Sequence, residues 1–140
     1  MTVALCLNLF YYAVQGNTDQ TFPNKTEGEQ KGDSVDKQEV NMVGFEIVAY
    51  SGDARAQLLQ LLKEMRGGNF DNVDSILAEV DENLNQAHNA QTKIMSDEAG
   101  GKDIPMGIIF AHGQDHLMTT ILLRDIITDF IDLYKTKAGK

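Results

Sequence analysis

The sequence predicts an all-α protein, an up-down-up antiparallel bundle of three helices. Three long segments repeat apolar residues every three or four positions, which is the spacing of one helix face. Glycine-containing stretches at 67–69 and 98–105 separate these segments, and no segment shows the alternation typical of a strand. Because short connections between long helices favour antiparallel neighbours, we expect the three helices to pack side by side.

The first helix is predicted to begin at about Val35, where Asp33 or Ser34 is placed to cap it. Two consecutive glycines at positions 67 and 68 end it, because glycine accepts the left-handed conformation found after a helix. Its apolar stripe consists of Val40, Val43, Ile47, Tyr50, Ala54, Leu58, Leu61 and Met65.

Gly44, Ser51 and Gly52 are unusual residues for the middle of this helix. A glycine within a helix costs about 1 kcal/mol relative to alanine. We interpret these positions as places where another helix approaches closely, and a local kink is the alternative.

The second helix is predicted from about Phe70 to Asp97, with Asn69 as its cap. Its stripe consists of Phe70, Val73, Leu77, Val80, Leu84, His88, Gln91 and Met95. We interpret His88 and Gln91 as polar residues whose hydrogen bonds are satisfied by the neighbouring helices, because buried polar groups are normally paired.

The third helix is predicted from about Met106 to Tyr134. It carries the cluster of side chains that is most capable of catalysis or metal binding. At 100° per residue, His112 is predicted near the centre of its apolar face. The residues within about 60° of His112 are Ile109, His116, Thr119, Leu123, Ile126, Ile127, Phe130 and Tyr134. The predicted solvated side carries Gln114, Arg124, Asp125, Asp132 and Lys135.

His112 and His116, with Asp115 between them, suggest two kinds of chemistry. Histidines four residues apart on a helix can bind a transition metal, and a single imidazole can act as a nucleophile. A hydrogen-bonded core histidine is the plainer alternative. The helix motif of metalloproteases is excluded, because it needs a glutamate where Gly113 stands.

Length and composition predict one acidic domain. The chain has 140 residues, a net charge of -9 and 42% hydrophobic residues. A nucleic-acid surface is not expected, because it would need clustered Lys and Arg. The acidic charge suits a basic docking partner, although solubility alone would also explain it. A single cysteine, Cys6, excludes an internal disulfide and fits a reducing cytoplasm.

Residues 1–36 are predicted to form a flexible extension outside the domain, which spans 37–140. Residues 2–14 are apolar but too few to cross a bilayer, and no Lys or Arg precedes them as a signal peptide requires. Residues 15–33 are polar and show no period, which is typical of a linker. We therefore expect a cytoplasmic protein that does not insert into a membrane.

The segment HGQDHLMTT at 112–120 resembles the signature of the lactose/cellobiose IIA subunits of the bacterial sugar phosphotransferase system. The resemblance continues in GFEIVAYSGDAR at 44–55, AHNAQT at 87–92 and DLYK at 132–135, and it covers roughly residues 37–137. Gly113, directly after the histidine, favours the lactose-type members, because cellobiose-type members commonly have alanine there.

The resemblance implies a phosphocarrier. His112 would receive a phosphoryl group from the histidine phosphocarrier HPr and pass it to a cysteine of a IIB component during sugar uptake. It also implies a homotrimer in which Asp115 lies on the three-fold axis and helps to hold a metal ion such as Mg²⁺. The residues expected to donate hydrogen bonds to phosphoryl oxygens are His116 and Gln114, the latter from the same or a neighbouring subunit, with Thr119 or Thr120 as further donors.

The alternative is a structural or metal-binding helical oligomer in which His112, Asp115 and His116 serve as ligands. Such an oligomer would carry no phosphoryl group. Phosphate found on His112 after incubation with enzyme I, HPr and phosphoenolpyruvate would separate the two hypotheses.

Overall fold

A computed structural model describes residues 34–137 and residue 139 of the chain. It contains three helices, α1 (Lys37–Arg66), α2 (Val73–Ala99) and α3 (Ile108–Lys137). Apart from an isolated bridge between Ser34 and Asp103, these residues form no strand. The predicted all-α, up-down-up three-helix bundle is therefore confirmed. Within this part of the chain, no helix combines the length and hydrophobicity needed to cross a membrane.

The helices begin two or three residues later than predicted, and the predicted caps of α1 and α2 are wrong. Asp36 rather than Ser34 precedes α1, and its side chain makes no capping hydrogen bond; Asp33 lies outside the described residues. Before α2, the side-chain oxygen of Asn69 accepts a hydrogen bond from the backbone N–H of Asp71 at 3.0 Å. This bond closes a local turn ahead of the helix.

Glycine ends α1 and α2 in the same way. Gly68 and Gly101 have φ angles of 86° and 90°. In both turns, the following backbone N–H donates to a carbonyl of the last helical turn at 3.1 Å. Because a side chain rarely accepts a positive φ, the glycine pair at 67–68 ends α1 as predicted.

The core is organised around α1, which packs along both other helices, whereas α2 and α3 touch each other over a shorter length. The predicted stripe of α1 is buried, except that Tyr50 is half-buried. The buried apolar residues are Val35, Val40, Val43, Ile47, Ala54, Leu58, Leu61, Met65, Val73, Val80, Leu84, Ala87, Ile94, Phe110, Leu117, Ile127 and Ile131.

Two glycines bring α1 and α3 into close contact. A Cβ atom added to Gly44 would lie 2.9 Å from the backbone N and Cα atoms of Phe110. One added to Gly113 would lie 2.9 Å from the carbonyl oxygen of Gly44. The predicted close approach is confirmed at Gly44. At Gly52 it is wrong, since no described atom lies within 4 Å of an added Cβ.

The part of the chain that the structure describes begins within the predicted extension. Val35 is buried, and its backbone N–H donates to the carbonyl of Asp103 at 3.1 Å. This bond joins the residues before α1 to the loop between α2 and α3. The rest of the predicted extension, residues 1–33, lies outside the described residues.

The predicted inner face of α2 is wrong in part. Gln91 is buried as predicted, but Ala87 and Ile94 are buried where His88 and Met95 were expected. A shift of one residue turns the face by about 100°, so the helix presents small and branched apolar side chains to α1.

The predicted inner face of α3 is also wrong. His112 is exposed and does not lie at the centre of the buried face. The residues that face the bundle are Phe110, Gly113, Leu117, Thr120, Ile127 and Ile131. The helix has two apolar sides, and the inward one includes a glycine and a threonine. Hydrophobic periodicity therefore predicted a single buried face that lies between these two sides.

Candidate functional site

His112 lies on the second turn of α3, beside the tightest contact between α1 and α3. Its neighbour Gly113 is buried against Gly44 and Ile47 of α1, while His112 itself is exposed. Any side chain at position 113 would meet the backbone of α1, so glycine allows α3 to lie close. The imidazole of His112 is thus attached to a well-fixed part of the backbone and accessible to solvent.

His116 packs against His112 one turn further along the helix. The ring centroids are 4.5 Å apart and the ring planes are inclined by 70°, an edge-to-face arrangement. Nδ1 of His116 is buried and meets no hydrogen-bond partner among residues 34–137. Burial lowers the pKa of His116 below its ordinary value, and its electrostatic interactions with Arg55 and His112 act in the same direction. His116 is therefore neutral near pH 7.

Gln114 lies on the opposite side of α3 from His112. The two residues are separated by about 200° around the helix. The side-chain carbonyl of Gln114 accepts a hydrogen bond from the amide of Gln91 on α2. The prediction that Gln114 faces solvent is therefore wrong, and any role for it at a His112 site requires a neighbouring subunit.

Arg124 is the second residue wrongly assigned to the solvated side. It is half-buried and forms a two-pronged ion pair with Asp81 of α2, with N–O distances of 2.8 and 2.9 Å. It joins α3 to α2 far from the histidine pair, so we assign it a structural role.

The two threonines of the motif use their hydroxyl protons within the helix. Thr120 is fully buried and donates to the carbonyl of His116 at 2.7 Å. Thr119 donates to the carbonyl of Asp115, also at 2.7 Å. In this geometry, neither hydroxyl has a proton left for a phosphoryl oxygen, because a hydroxyl has only one.

Arg55 is a site residue that sequence reasoning missed. Its Nε atom donates to Thr120 Oγ1 at 3.2 Å, and its Nη2 atom donates to Thr119 Oγ1 and, at 3.4 Å, to the carbonyl of His116. Arg55 closes the GFEIVAYSGDAR motif, but no local pattern links it to a turn more than 60 residues away. Its position at the end of that motif was the one available signal.

Asp115 is exposed on the outer side of α3. Among the described residues, no group of three or more His, Cys, Asp or Glu side chains could hold a metal ion. Within one chain, His112, Asp115 and His116 therefore form no such group, and the alternative of a metal-binding oligomer that uses these residues stays a prediction. A role for Asp115 in metal binding would need carboxylates from other chains.

The outer side of α3 is apolar over most of its length. We call Ile108, Met118, Leu122, Ile126 and Leu133 the outward stripe; all are more than 40% exposed. Asp115 lies within this stripe, seven residues after Ile108 and seven before Leu122, which is the repeat of a coiled-coil seam. A second set of exposed apolar residues on α1 consists of Met42, Phe45 and Leu59.

Residues 42–135 match the model of the family described as "PTS system, Lactose/Cellobiose specific IIA subunit". The chain belongs to this family. It is 46% identical over 104 residues to the lactose-specific EIIA component of Lactococcus lactis subsp. lactis, a match that covers 74% of this chain and 99% of that protein. The family assignment made from the four sequence motifs is thus confirmed.

Solved structures of IIA proteins share the fold of this IIA chain. The crystal structure of PtcA from S. mutans is 37% identical, with a TM-score of 0.69, and the match covers 72% of this chain and 99% of that one. The IIA(Chitobiose)–HPr complex of Escherichia coli contains a chain that is 31% identical, with a TM-score of 0.60 and coverage of 69% and 94%. The three-helix domain is therefore the IIA fold.

Proposed function

We propose that this IIA subunit is a phosphocarrier in which His112 accepts a phosphoryl group from phosphorylated HPr and passes it to a cysteine of a IIB component. The observation that carries the proposal is the ring pair: an exposed imidazole on a rigid part of α3, packed against a second, half-buried imidazole. The similarity to a IIA chain solved in complex with HPr supports the choice of donor.

The reaction exchanges one phosphorus–nitrogen bond for another. The unprotonated ring nitrogen of neutral His112 attacks phosphorus, and the bond to the histidine nitrogen of HPr breaks with its electron pair returning to that nitrogen. In the second step a IIB thiolate attacks phosphorus, and the pair returns to His112. Such transfers depend mainly on in-line positioning and charge stabilisation, which an exposed ring on a fixed helix provides.

His116 is the residue best placed to assist His112. Its ring is in contact with that of His112, and burial lowers its pKa, so near pH 7 the neutral ring has one N–H that can donate a hydrogen bond to a phosphoryl oxygen. Gln114 assists from a neighbouring subunit, because it lies on the far side of α3 in its own chain.

The outward stripe supports a trimer as the working state. Large exposed apolar residues in a continuous row are typical of an interface that another chain covers. The family resemblance implies three chains, which would bring three copies of Asp115 together on the axis. Carboxylate oxygens suit Mg²⁺, so the exposed carboxylate of Asp115 fits a shared site. A cation bound there would relieve the repulsion among the three charges.

Lactose is the sugar that the comparisons favour, since the L. lactis relative is lactose-specific and Gly113 follows the histidine. The proposed site of action is the cytoplasm, where the chain would encounter HPr and IIB.

A direct test of the proposed function is incubation with enzyme I, HPr and phosphoenolpyruvate. We expect one phosphoryl group per chain on His112, labile to acid and stable to alkali. A label on serine or threonine, or none, would contradict the proposal.

A further inference from the structure

Arg55 joins α1 to a single turn of α3. Its three acceptors, the carbonyl of His116 and the hydroxyls of Thr119 and Thr120, lie within five consecutive residues. That turn carries His116 and begins four residues after His112. The position of the second imidazole therefore depends on a bond network anchored outside its own helix.

Arg55 is half-buried without a carboxylate partner in the described part of the chain, which is unusual for an arginine. No carboxylate among residues 34–137 forms an ion pair with it, whereas Arg124 is paired with Asp81. Partly burying an unpaired charge is unfavourable, and a nearby anion would offset that penalty. Besides burial, Arg55 also lowers the pKa of His116, so its positive charge acts on that ring.

Resting on the proposed phosphocarrier function, we infer that Arg55 is a positioning residue for phosphoryl transfer. Its guanidinium holds the turn of α3 that presents His116 to His112. It also supplies a permanent positive charge beside that turn, which follows the turn of His112, the proposed carrier of the dianionic phosphoryl group. In the unphosphorylated chain the guanidinium has no anionic partner among the described residues, and the phosphoryl group would provide one.

Arg55→Gln tests this inference, with Arg124→Gln as the matched control. Both substitutions remove a half-buried arginine that bonds across helices, but Arg124 lies twelve residues beyond His112, about 18 Å at 1.5 Å per residue. The maximal rate and the KM for phosphorylated HPr would be measured for each. We expect Arg55→Gln to lower the maximal rate about 10- to 100-fold with KM changed less than about twofold.

Arg55→Lys separates this role from a purely structural one. Lysine keeps the charge but cannot bond both threonines through a fork, so it should recover part of the rate. Arg124→Gln should stay within about twofold of the unmodified protein, since positioning at the site is untouched. An Arg55→Gln rate within about threefold of the unmodified protein, or an equal loss in Arg124→Gln, would overturn the inference.

A measurement without phosphorylation distinguishes this inference from the proposed function. In ¹H–¹⁵N spectra of the imidazole rings, Arg55→Gln should shift the His116 signals and Arg124→Gln should leave them in place. If the unmodified protein accepts no phosphoryl group, the proposed function fails, while the ring spectra still report on Arg55. Unshifted His116 signals in Arg55→Gln would refute the positioning role on their own.

Discussion

The two sides of α3 are both apolar, but they are built differently. The inward side meets α1 through small residues, with Gly113 against the backbone of Gly44 and Thr120 fully buried. The outward stripe instead exposes large side chains, with Ile108 at 87% and Leu133 at 60%. His112 lies between the two sides, where neither covers it.

This difference separates the packing of α3 within the chain from the packing that we propose between chains. Close backbone approach needs glycine and small polar residues, so the side that packs within the chain has fewer large apolar residues than expected. A row of large apolar residues left exposed is what the proposed interface between chains would cover. In the proposed trimer, a histidine on the boundary would be held by the inward side and sheltered by the outward stripe.

His112→Ala should have the largest effect, a complete loss of phosphoryl acceptance. The side chain is exposed and contributes little to the core, so helix content and assembly should be retained. Labelling from phosphoenolpyruvate through enzyme I and HPr measures acceptance. His88→Ala on α2 is the control and should be labelled normally. Retained labelling of His112→Ala would refute the assignment of the nucleophile.

Leu122→Glu should disrupt the outward stripe at its middle. Three buried, unpaired carboxylates would meet in a trimer, and we expect association to weaken by at least about 100-fold. Sedimentation velocity over a range of concentrations measures the change. Asn85→Glu adds the same charge to an exposed position on α2 and should not alter assembly. An unchanged oligomer in Leu122→Glu would show that the stripe is not the interface.

The fold could be predicted from sequence because its determinants are local. Long apolar periods, glycine pairs at 67–68 and 100–101, and the absence of strand alternation defined three helices to within a few residues. The stripe of α1 was predicted well because both α2 and α3 pack against this helix, which requires a broad apolar face. The start of α2 was missed because Asn69 bonds within a preceding turn instead of capping the helix.

The site was predicted only in part, because its determinants are not local. His112 and His116 were found from their spacing, and their ring contact follows from the helix itself. The inward side of α3 was misassigned because Gly113 and Thr120 do not contribute to an apolar period. Arg55 was missed because its partners lie on another helix, and only the packing of α1 against α3 brings them together.

Gly44→Ala should destabilise the inward side. An added methyl group would meet backbone atoms of Phe110 at 2.9 Å, and a backbone cannot move aside as a side chain does. We expect the free energy of unfolding to fall by about 1–3 kcal/mol. Gly52→Ala is the matched control on the same helix, where an added methyl group has open space among the described residues. It should stabilise by about 0.5–1 kcal/mol through helix propensity.

Urea unfolding of the two alanine variants, side by side with the unmodified protein, measures both changes. Opposite signs for the two variants would confirm that close approach, not glycine flexibility, is what position 44 requires. A stabilised Gly44→Ala variant would mean that α1 and α3 do not approach as closely as the structure shows.

Asp115→Leu should have the smallest effect on assembly, and it should change only the sensitivity of the trimer to chelators. The substitution removes three like charges from the outward stripe and replaces them with side chains that match their neighbours Ile108 and Leu122. The trimer should therefore persist and lose its sensitivity to chelators, because no repulsion remains for a cation to relieve. Asp125→Leu, an equivalent change at an exposed position outside the stripe, should leave that sensitivity unchanged. Sedimentation with and without a chelator makes the comparison. If the unmodified protein sediments as a monomer with or without Mg²⁺, Asp115 is a solvated helix residue, and the outward side of α3 does not shelter His112.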